Sequence, residues 1–131
     1  MLQLEVHDEA EEDLERLLED EPQAAGAILA FLQELRGDPD LLDCLTITDF
    51  GKYGEERFSA TSWWNEQPQR NLWRVKIWDL ENQGLQYRII YAYAGQPRKY
   101  HVLAVVDRDN IDYDDEQHPT TQRVRRLYDD L

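Results

Sequence analysis

The chain contains one cysteine, Cys44, in 131 residues, and only three histidines. A single thiol excludes an intrachain disulfide and a cysteine-based metal cluster, and we interpret Cys44 as a small buried residue rather than a reactive thiol. His7, His101 and His118 lie far apart in the sequence, without a second ligand at metal spacing or a neighbouring nucleophile motif. We therefore predict chemistry that needs neither a metal nor another cofactor.

Long apolar runs are also missing. No run approaches the roughly 20 residues that span a bilayer, and the first residues are acidic where a signal peptide would carry a basic start and an apolar stretch. We therefore expect a cytoplasmic protein with no membrane partner. The length suits one domain with a modest core, so residues 1–131 are predicted to form a single domain.

Basic residues are scarce, 14 against 28 acidic residues, which gives a net charge of −14. Such a charge opposes general nucleic-acid binding, because the average field repels a phosphate backbone. The negative charge is concentrated in residues 1–50, with 2 basic and 15 acidic residues, whereas residues 51–107 hold 8 basic and 6 acidic residues. Since charges are screened over about 8 Å at physiological salt, a local cationic pocket can still bind a phosphate.

Two loop motifs that bind phosphate or calcium are incomplete. Gly51 and Gly54 lack the lysine and the helix that follow a phosphate-binding glycine loop. The run from Asp107 to Asp112 lacks the glycine at position six and the glutamate at position twelve of a calcium loop. Neither motif is predicted to act here.

The centre of the sequence, by contrast, holds three strand-like runs separated by short polar breaks: Leu72–Trp78, Gln86–Tyr93 and Lys99–Val106. The breaks are too short for a helical crossover, which predicts an antiparallel meander. The last run is apolar on both faces and is therefore expected to be central in the sheet.

Alternation along the first of these runs places Arg74 and Lys76 on the same face, because alternate side chains of a pleated strand point the same way. Two cations one pleat apart form a short fork of positive charge. The same half of the chain also supplies Arg88, Arg108 and Tyr113. Together these residues suggest a phosphate site.

Helices are predicted on both sides of these strands. Asp8 is expected to be the N-cap of a helix that ends near Asp20, and Pro22 begins a second helix with an apolar face up to Gly37, so the two form an antiparallel hairpin. Pro119 is expected to open a C-terminal helix. We therefore predict an α+β fold in which an N-terminal helical hairpin packs on a twisted, mainly antiparallel sheet, followed by a C-terminal helix.

The remaining segments give weaker signals. Further strands are predicted at Leu2–Val6, Thr46–Phe50 and Arg57–Trp64, with a helical turn at Asp40–Leu45. If extended, adjacent Trp63 and Trp64 face opposite sides, so that only one enters the core, while the other either covers a sheet edge or stacks a nucleobase. The three arginines of the C-terminal helix, Arg123, Arg125 and Arg126, are interpreted as solvated charges.

Several short motifs follow each other in a recognisable order. They are a helical hairpin ending in Asp38-Pro39, then Leu72-Trp-Arg-Val-Lys-Ile77, then Tyr87-Arg-Ile-Ile-Tyr91, then Val105-Val-Asp-Arg108 followed by Tyr113. This order resembles the RelE/ParE toxin superfamily of bacterial toxin–antitoxin pairs. The resemblance covers nearly the whole chain except residues 51–70, which look like an insertion.

The RelE-like branch of that superfamily cuts messenger RNA in the ribosomal decoding site. It uses strand-borne cations, a sheet arginine, an arginine at the end of the last strand and a tyrosine soon after. By this resemblance the catalytic residues are Lys76, Arg88, Arg108 and Tyr113, and Arg74 is a substrate-binding residue. The ParE-like branch, associated with inhibition of DNA gyrase, generally lacks that set, so the RelE-like branch is favoured.

The resemblance implies a metal-independent reaction in which a ribose 2′-hydroxyl attacks the adjacent phosphate and leaves a cyclic phosphate and a free 5′-hydroxyl. Arg74, Lys76 and Arg88 would stabilise the charge that grows on the non-bridging oxygens. Tyr113 would be the base, with its pKa lowered from about 10 by the nearby cations. Arg108 would hold the phosphate or assist the leaving oxygen.

The expected function is therefore that of a toxin, a ribosome-dependent mRNA endoribonuclease restrained by a cognate antitoxin. The alternative is a noncatalytic toxin-fold protein that acts by binding, either on DNA gyrase or as an interaction module. In that case the cations would pair with Glu81, Asp107 or the acidic segment around Tyr113. A cluster free of carboxylate partners would favour the nuclease, and a wholly neutralised one would favour the binding protein.

Overall fold

The computed structural model describes residues 3–67 and 69–131. In chain order its elements are β1 (Leu4–Val6), α1 (Asp8–Asp20), α2 (Pro22–Gly37), α3 (Pro39–Asp43), β2 (Phe58–Ser62), β3 (Leu72–Ile77), α4 (Trp78–Glu81), β4 (Tyr87–Ala94), β5 (Lys99–Asp107) and α5 (Pro119–Asp129). Single turns of 3₁₀ helix lie at Cys44–Thr46, Trp64–Glu66 and Arg108–Asn110. None of the helices in the described ranges is long and apolar enough to cross a membrane.

The five strands form one sheet in the order β1-β5-β4-β3-β2. The pair β1 and β5 is parallel, and every other pair is antiparallel. The predicted α+β class is confirmed, as are the antiparallel meander of the three central strands and the position of β5 between two neighbours. Strand β5 is apolar on both faces because helices cover both of them.

The hairpin of α1 and α2 covers one face of the sheet. Each helix turns an apolar stripe inward, because apolar residues recur at the spacing of the helical turn, and the stripe of α2 includes the buried Ile28, Phe31 and Leu35. These side chains belong to the same apolar cluster as Val75 of β3 and Tyr91 of β4. This apolar core stabilises one face of the sheet, and the opposite face remains for other contacts.

Helix α5 covers only part of that opposite face. Its buried Val124 and Leu127 pack in a second, smaller cluster with Leu72 of β3, Ile90 of β4 and Trp63. Leu72 lies at one end of β3, and the even-numbered positions that follow it on the same face carry cations instead of apolar side chains. The part of the sheet that α5 leaves uncovered is therefore polar.

Two local predictions are wrong. Helix α1 is capped by His7 rather than Asp8, since His7 has extended backbone angles and its Nδ1 accepts a hydrogen bond from the Glu9 N–H at 3.1 Å. The strand predicted at Thr46–Phe50 does not form: Thr46 ends a 3₁₀ turn, and a turn follows in which Asp49 adopts φ 63° and interrupts the extended backbone. Of that segment only Phe50 forms an isolated bridge, with Ala60.

The other predicted segments are borne out, with small shifts of their bounds. Strand β1 (Leu4–Val6) lies within the predicted Leu2–Val6, of which Leu2 lies outside the described residues, and β2 lies within Arg57–Trp64. The supposed insertion at residues 51–70 thus contributes β2, the edge strand that pairs with β3.

The three arginines of α5 are all ion-paired; Arg126 is also exposed to solvent, as predicted, whereas Arg123 and Arg125 are partly buried. Arg123 donates to both carboxylate oxygens of Asp13, at 3.1 and 2.6 Å, and Arg125 donates to both oxygens of Glu66, at 2.6 and 3.0 Å. Arg126 donates to Glu9. Carboxylates from distant parts of the chain fold back onto α5, which periodicity along a single helix does not reveal.

Candidate functional site

A cavity of about 380 Å³ opens on the uncovered part of the sheet. It is lined by Ser59, Thr61, Arg74, Lys76, Glu81, Arg88, Arg108 and Tyr113. All five side chains selected from the sequence line this one cavity, although they come from two strands, the turn after β5 and a loop. We call it the cationic pocket.

The register of three neighbouring strands builds the floor of the cationic pocket. Lys76 lies opposite Ser59, and Arg74 lies opposite Thr61, in the antiparallel pair of β2 and β3. On the other side of β3, Arg74 lies opposite Ile90 of β4. Residues opposite each other on the same face lie about 5 Å apart, so each cation has a hydroxyl beside it.

Arg88 is the buried cation of the pocket, with 8% of its surface exposed. Its guanidinium forms an ion pair with Glu81, at the end of α4, and also donates to the backbone carbonyl of Tyr87 at 3.0 Å. Short helix α4 follows directly on β3, so it turns Glu81 back over the sheet. The buried guanidinium is therefore compensated and fixed in place.

Lys76 is partly buried in the pocket, unlike an ordinary surface lysine. Burial lowers its pKa, and the charges of Arg88, Arg108 and Arg74 lower it further, while Glu81 acts in the opposite direction. Its ammonium lies 4.6 Å from the centre of the Trp78 ring. At a given pH a larger fraction of this amine is therefore neutral than in an exposed lysine.

Tyr113 closes one side of the pocket by its ring rather than by its hydroxyl. The guanidinium carbon of Arg74 lies 4.0 Å from the ring centre, and the ring meets Trp63 edge-on with centres 5.0 Å apart. The hydroxyl is buried and has no hydrogen-bond partner among the described residues. The ring therefore holds Arg74 over the sheet.

The expected lowering of the Tyr113 pKa is wrong. Burial raises the pKa of this phenol above 10, and the opposing effect of Arg74 and Arg88 is smaller. A sequence places the cations near the tyrosine but does not show how deeply the hydroxyl lies. The phenol therefore keeps its proton at neutral pH, and base catalysis by Tyr113 has no electrostatic support.

The charge of the pocket differs from that of the rest of the molecule. Elsewhere most cations are ion-paired, namely Arg16, Arg57, Arg70, Lys99, Arg123, Arg125 and Arg126. Over residues 3–67 and 69–131, Arg74, Lys76 and Arg108 form no ion pair. Four cations thus face one carboxylate in a chain whose net charge is −14.

Two lining residues were missed from the sequence, Ser59 and Thr61. They lie in the segment interpreted as an insertion, and no catalytic motif contains them. Their alternation in the run Phe58–Ser62 was the available signal, because Ser59 and Thr61 share a face as Arg74 and Lys76 do. What the sequence lacked was the register that sets these two faces side by side.

In chemical terms the pocket suits a phosphate. Unpaired cations with adjacent hydroxyls can hold several phosphate oxygens at once, and arginine forks match their geometry. No protein-family model, curated protein or solved structure matches the chain. The geometry and charge of the pocket are therefore the structural basis for assigning a function.

Proposed function

We propose that the chain is a toxin of the RelE-like type, a metal-independent endoribonuclease that cuts messenger RNA on the ribosome. The observation that carries the proposal is the excess of cations in the pocket, where Arg74, Lys76 and Arg108 have no carboxylate partner within the described ranges. Burial of the Lys76 ammonium without a carboxylate partner costs free energy in the folded state. The chain has twice as many acidic as basic residues, so carboxylates were available to pair with these three cations. That they stay unpaired in the described part of the chain indicates that the pocket binds an anionic ligand.

The phosphodiester is held by the cations of the strands. Arg74, fixed over Tyr113, and Arg88, fixed by Glu81, donate to the non-bridging oxygens, where negative charge grows as the 2′-oxygen attacks. Neither side chain has to reorganise during the reaction. Such preorganised donors stabilise a transition state more than flexible ones do.

Lys76 would accept the proton of the attacking 2′-hydroxyl through the neutral fraction of its amine, because burial lowers the pKa of this amine whereas burial raises the pKa of the Tyr113 phenol. The 2′-oxygen forms a bond to phosphorus, and the bond from phosphorus to the 5′-oxygen breaks. The 5′-oxygen leaves beside the exposed Arg108 and takes a proton from solvent. The products are a 2′,3′-cyclic phosphate and a 5′-hydroxyl.

The ribosome and the antitoxin enter the proposal through the resemblance to the RelE/ParE superfamily. A protein that cuts mRNA on the ribosome would act in the cytoplasm. The ribosome would also present the mRNA strand at close range, so that a protein of negative net charge can bind it. The cognate antitoxin would restrain the toxin by covering the cationic pocket. An acidic segment of the antitoxin would complement its charge.

The test is cleavage of a translated message. The purified protein is added to a cell-free translation reaction, and the new 5′ ends of a reporter mRNA are mapped by primer extension. We expect cuts that require translation, and Lys76→Ala or Arg108→Ala should slow them by about 100-fold or more, as loss of a general base or of a transition-state donor does. A single 2′-deoxyribose at the mapped position should abolish the cut there.

The matched control is Arg98→Ala, which removes an exposed arginine in the turn between β4 and β5, outside the pocket. This variant should cut at the rate of the unmodified protein. If Lys76→Ala and Arg108→Ala also cut at that rate, the cationic pocket is not the nuclease site.

A noncatalytic binding protein is the second candidate, and one observation favours it. Arg88 is ion-paired with Glu81, which is one of the pairings expected of the noncatalytic protein. In this case expression without an antitoxin would leave transcript ends unchanged. Double-strand DNA breaks in the expressing cells would then indicate DNA gyrase as the target, and their absence an interaction module.

A further inference from the structure

Trp64 is the most exposed tryptophan of the chain, with 81% of its surface accessible. It borders a second cavity, lined by Thr61, Ser62, Trp63, Trp64, Asn65, Arg74, Tyr113 and Asp114. Three of these residues, Thr61, Arg74 and Tyr113, also line the cationic pocket. The two cavities therefore adjoin, with the Arg74 side chain between them.

The backbone that carries Trp64 is anchored on both sides. On one side Trp63 is buried, and its indole N–H donates to the carbonyl of Tyr113 at 3.2 Å. On the other side Asn65 donates to the same carbonyl at 3.0 Å and to the Asp114 carboxylate at 2.9 Å. The single 3₁₀ turn that begins at Trp64 is thus tied to the loop that carries Tyr113.

The same turn ends in a buried carboxylate. Glu66 is 3% exposed, and its two carboxylate oxygens accept hydrogen bonds from Nε and Nη2 of Arg125 in α5. Burying such an ion pair is costly unless its geometry is good, and its two short hydrogen bonds meet that condition. An exposed indole on a firmly held turn is a preformed flat surface, unlike an aromatic side chain on a loose loop.

The charge changes from one cavity to the other. The cationic pocket has four cations and one carboxylate, whereas the second cavity shares Arg74 and adds the carboxylate of Asp114. A phosphate is therefore favoured in the first cavity and disfavoured in the second. The second cavity instead suits an uncharged aromatic group. A nucleotide combines both groups, because it has an anionic phosphate and a neutral base.

We propose that Trp64 is the stacking surface for the nucleobase next to the phosphate held in the cationic pocket, so that the substrate is a single-stranded nucleic acid recognised through both cavities. Trp64 follows Thr61 by three residues, a reach of at most about 11 Å along the backbone, which suits a base joined to a phosphate beside Arg74. Stacking on an indole tolerates any base, because each base has a π face. This inference rests on the proposed function, since it needs a phosphate in the cationic pocket.

The test compares two probes that have the same charge. One is a single-stranded tetranucleotide with 2′-O-methyl riboses, which cannot be cut through a 2′-hydroxyl, and the other is the same chain with all four positions abasic. Binding is measured by isothermal titration calorimetry at 0.1 M salt. The intact probe should bind about 5- to 100-fold more tightly than the abasic one, the range that one stacked base contributes.

The variants separate the two cavities. Trp64→Ala should reduce binding of the intact probe to the level of the abasic probe, while Trp64→Phe should retain part of the difference, because a phenyl ring still stacks. Lys76→Ala should weaken both probes by a similar factor. Tyr53→Ala is the matched control, because Tyr53 is 86% exposed and lines neither cavity, and it should bind both probes as the unmodified protein does.

The outcomes distinguish this inference from the function on which it rests. If the unmodified protein binds both probes equally, and Lys76→Ala weakens both, the cationic pocket holds a phosphate but the stacking proposal is overturned. If Trp64→Ala changes neither affinity, the stacking proposal is likewise overturned. If the unmodified protein binds neither probe, the stacking proposal is overturned, whereas the proposed function is judged separately by cleavage of a translated message.

Discussion

Arg74 lies over the ring of Tyr113, with its guanidinium carbon 4.0 Å from the ring centre. The contact joins a strand residue to a loop residue 39 positions later in the chain, and it sets the direction of the guanidinium over the sheet. A ring that positions a cation has a different role from a phenol that accepts a proton. The two roles lead to different expectations for substitutions at position 113.

Substitution of Tyr113 separates its ring from its hydroxyl. Tyr113→Phe removes a buried hydroxyl that has no partner in the described part of the chain and keeps the ring. The free energy of unfolding of this variant should therefore change by less than about 1 kcal/mol, and its cleavage rate should stay within about tenfold of the unmodified rate.

Tyr113→Ala removes the ring as well, and with it the contacts with Arg74 and Trp63. This variant should lower the free energy of unfolding by about 3 kcal/mol. Urea titration and the translation-coupled assay provide both readouts, and a Phe variant without activity would restore the phenol as the base.

Lys76 should reduce stability at neutral pH. Its folded pKa is lowered from 10.5, chiefly by burial, so below the folded pKa the amine is charged in both states and folding carries the full cost of its desolvation. Between the folded and the unfolded pKa the unfolded chain binds more protons, so this cost declines as pH rises. Lys76→Met should therefore raise the free energy of unfolding at pH 7 by about 1 kcal/mol while abolishing cleavage.

The matched substitution is Lys52→Met, which removes an exposed lysine without a carboxylate partner in the described ranges. It should leave both stability and cleavage unchanged. Urea titrations of both variants at pH 7 and pH 10 would make the comparison. A loss of stability in Lys76→Met at pH 7 would show that the ammonium is favourably placed even without an anion.

Glu81→Gln should strengthen phosphate binding. Among the described residues that line the cationic pocket, Glu81 is the only one with a carboxylate, so the substitution removes that negative charge and frees Arg88 from its ion pair. Inorganic phosphate should therefore bind more tightly by calorimetry. The free energy of unfolding should fall by about 1–3 kcal/mol, because a buried guanidinium loses its charged partner.

Asp79→Asn is the control for this experiment, since Asp79 lies on the same short helix but is exposed and lies outside the pocket. It changes the net charge by the same amount and should alter neither phosphate affinity nor stability. Equal phosphate affinity in Glu81→Gln and the unmodified protein would mean that the ion pair does not compete with an anion for Arg88.

Asp13 should be the most sensitive carboxylate for folding. It is 7% exposed and accepts hydrogen bonds from Arg123 of α5 and from the backbone N–H of Val105 in β5, the latter at 2.9 Å. Asp13→Ala leaves a desolvated cation and a buried amide without their acceptor, so the free energy of unfolding should fall by about 3–5 kcal/mol. Glu12→Ala, at the exposed neighbouring position, should change it by less than about 0.5 kcal/mol. Similar denaturation midpoints for the two variants would contradict this role.

The sequence alone determined the elements that depend on local periodicity. The alternation of Leu72–Ile77 set Arg74 and Lys76 on one face, and the apolar stripe of Pro22–Gly37 gave the second helix, because side-chain direction in regular structure repeats every 2 or 3.6 residues. The short breaks between the central runs likewise determined the antiparallel meander. Such features need no knowledge of distant parts of the chain.

Only the tertiary structure decided which distant residues are in contact and how deeply each is buried. The pairing of β2 with β3 brought the hydroxyls of Ser59 and Thr61 to the cations, and the pairs of Arg123 with Asp13 and of Arg125 with Glu66 join residues 110 and 59 positions apart. Burial decided the pKa of Tyr113 against the charges that the sequence placed near it. Register, burial and long-range ion pairs arise from packing of the whole chain, and a local pattern holds no information about the residue that will lie across from it.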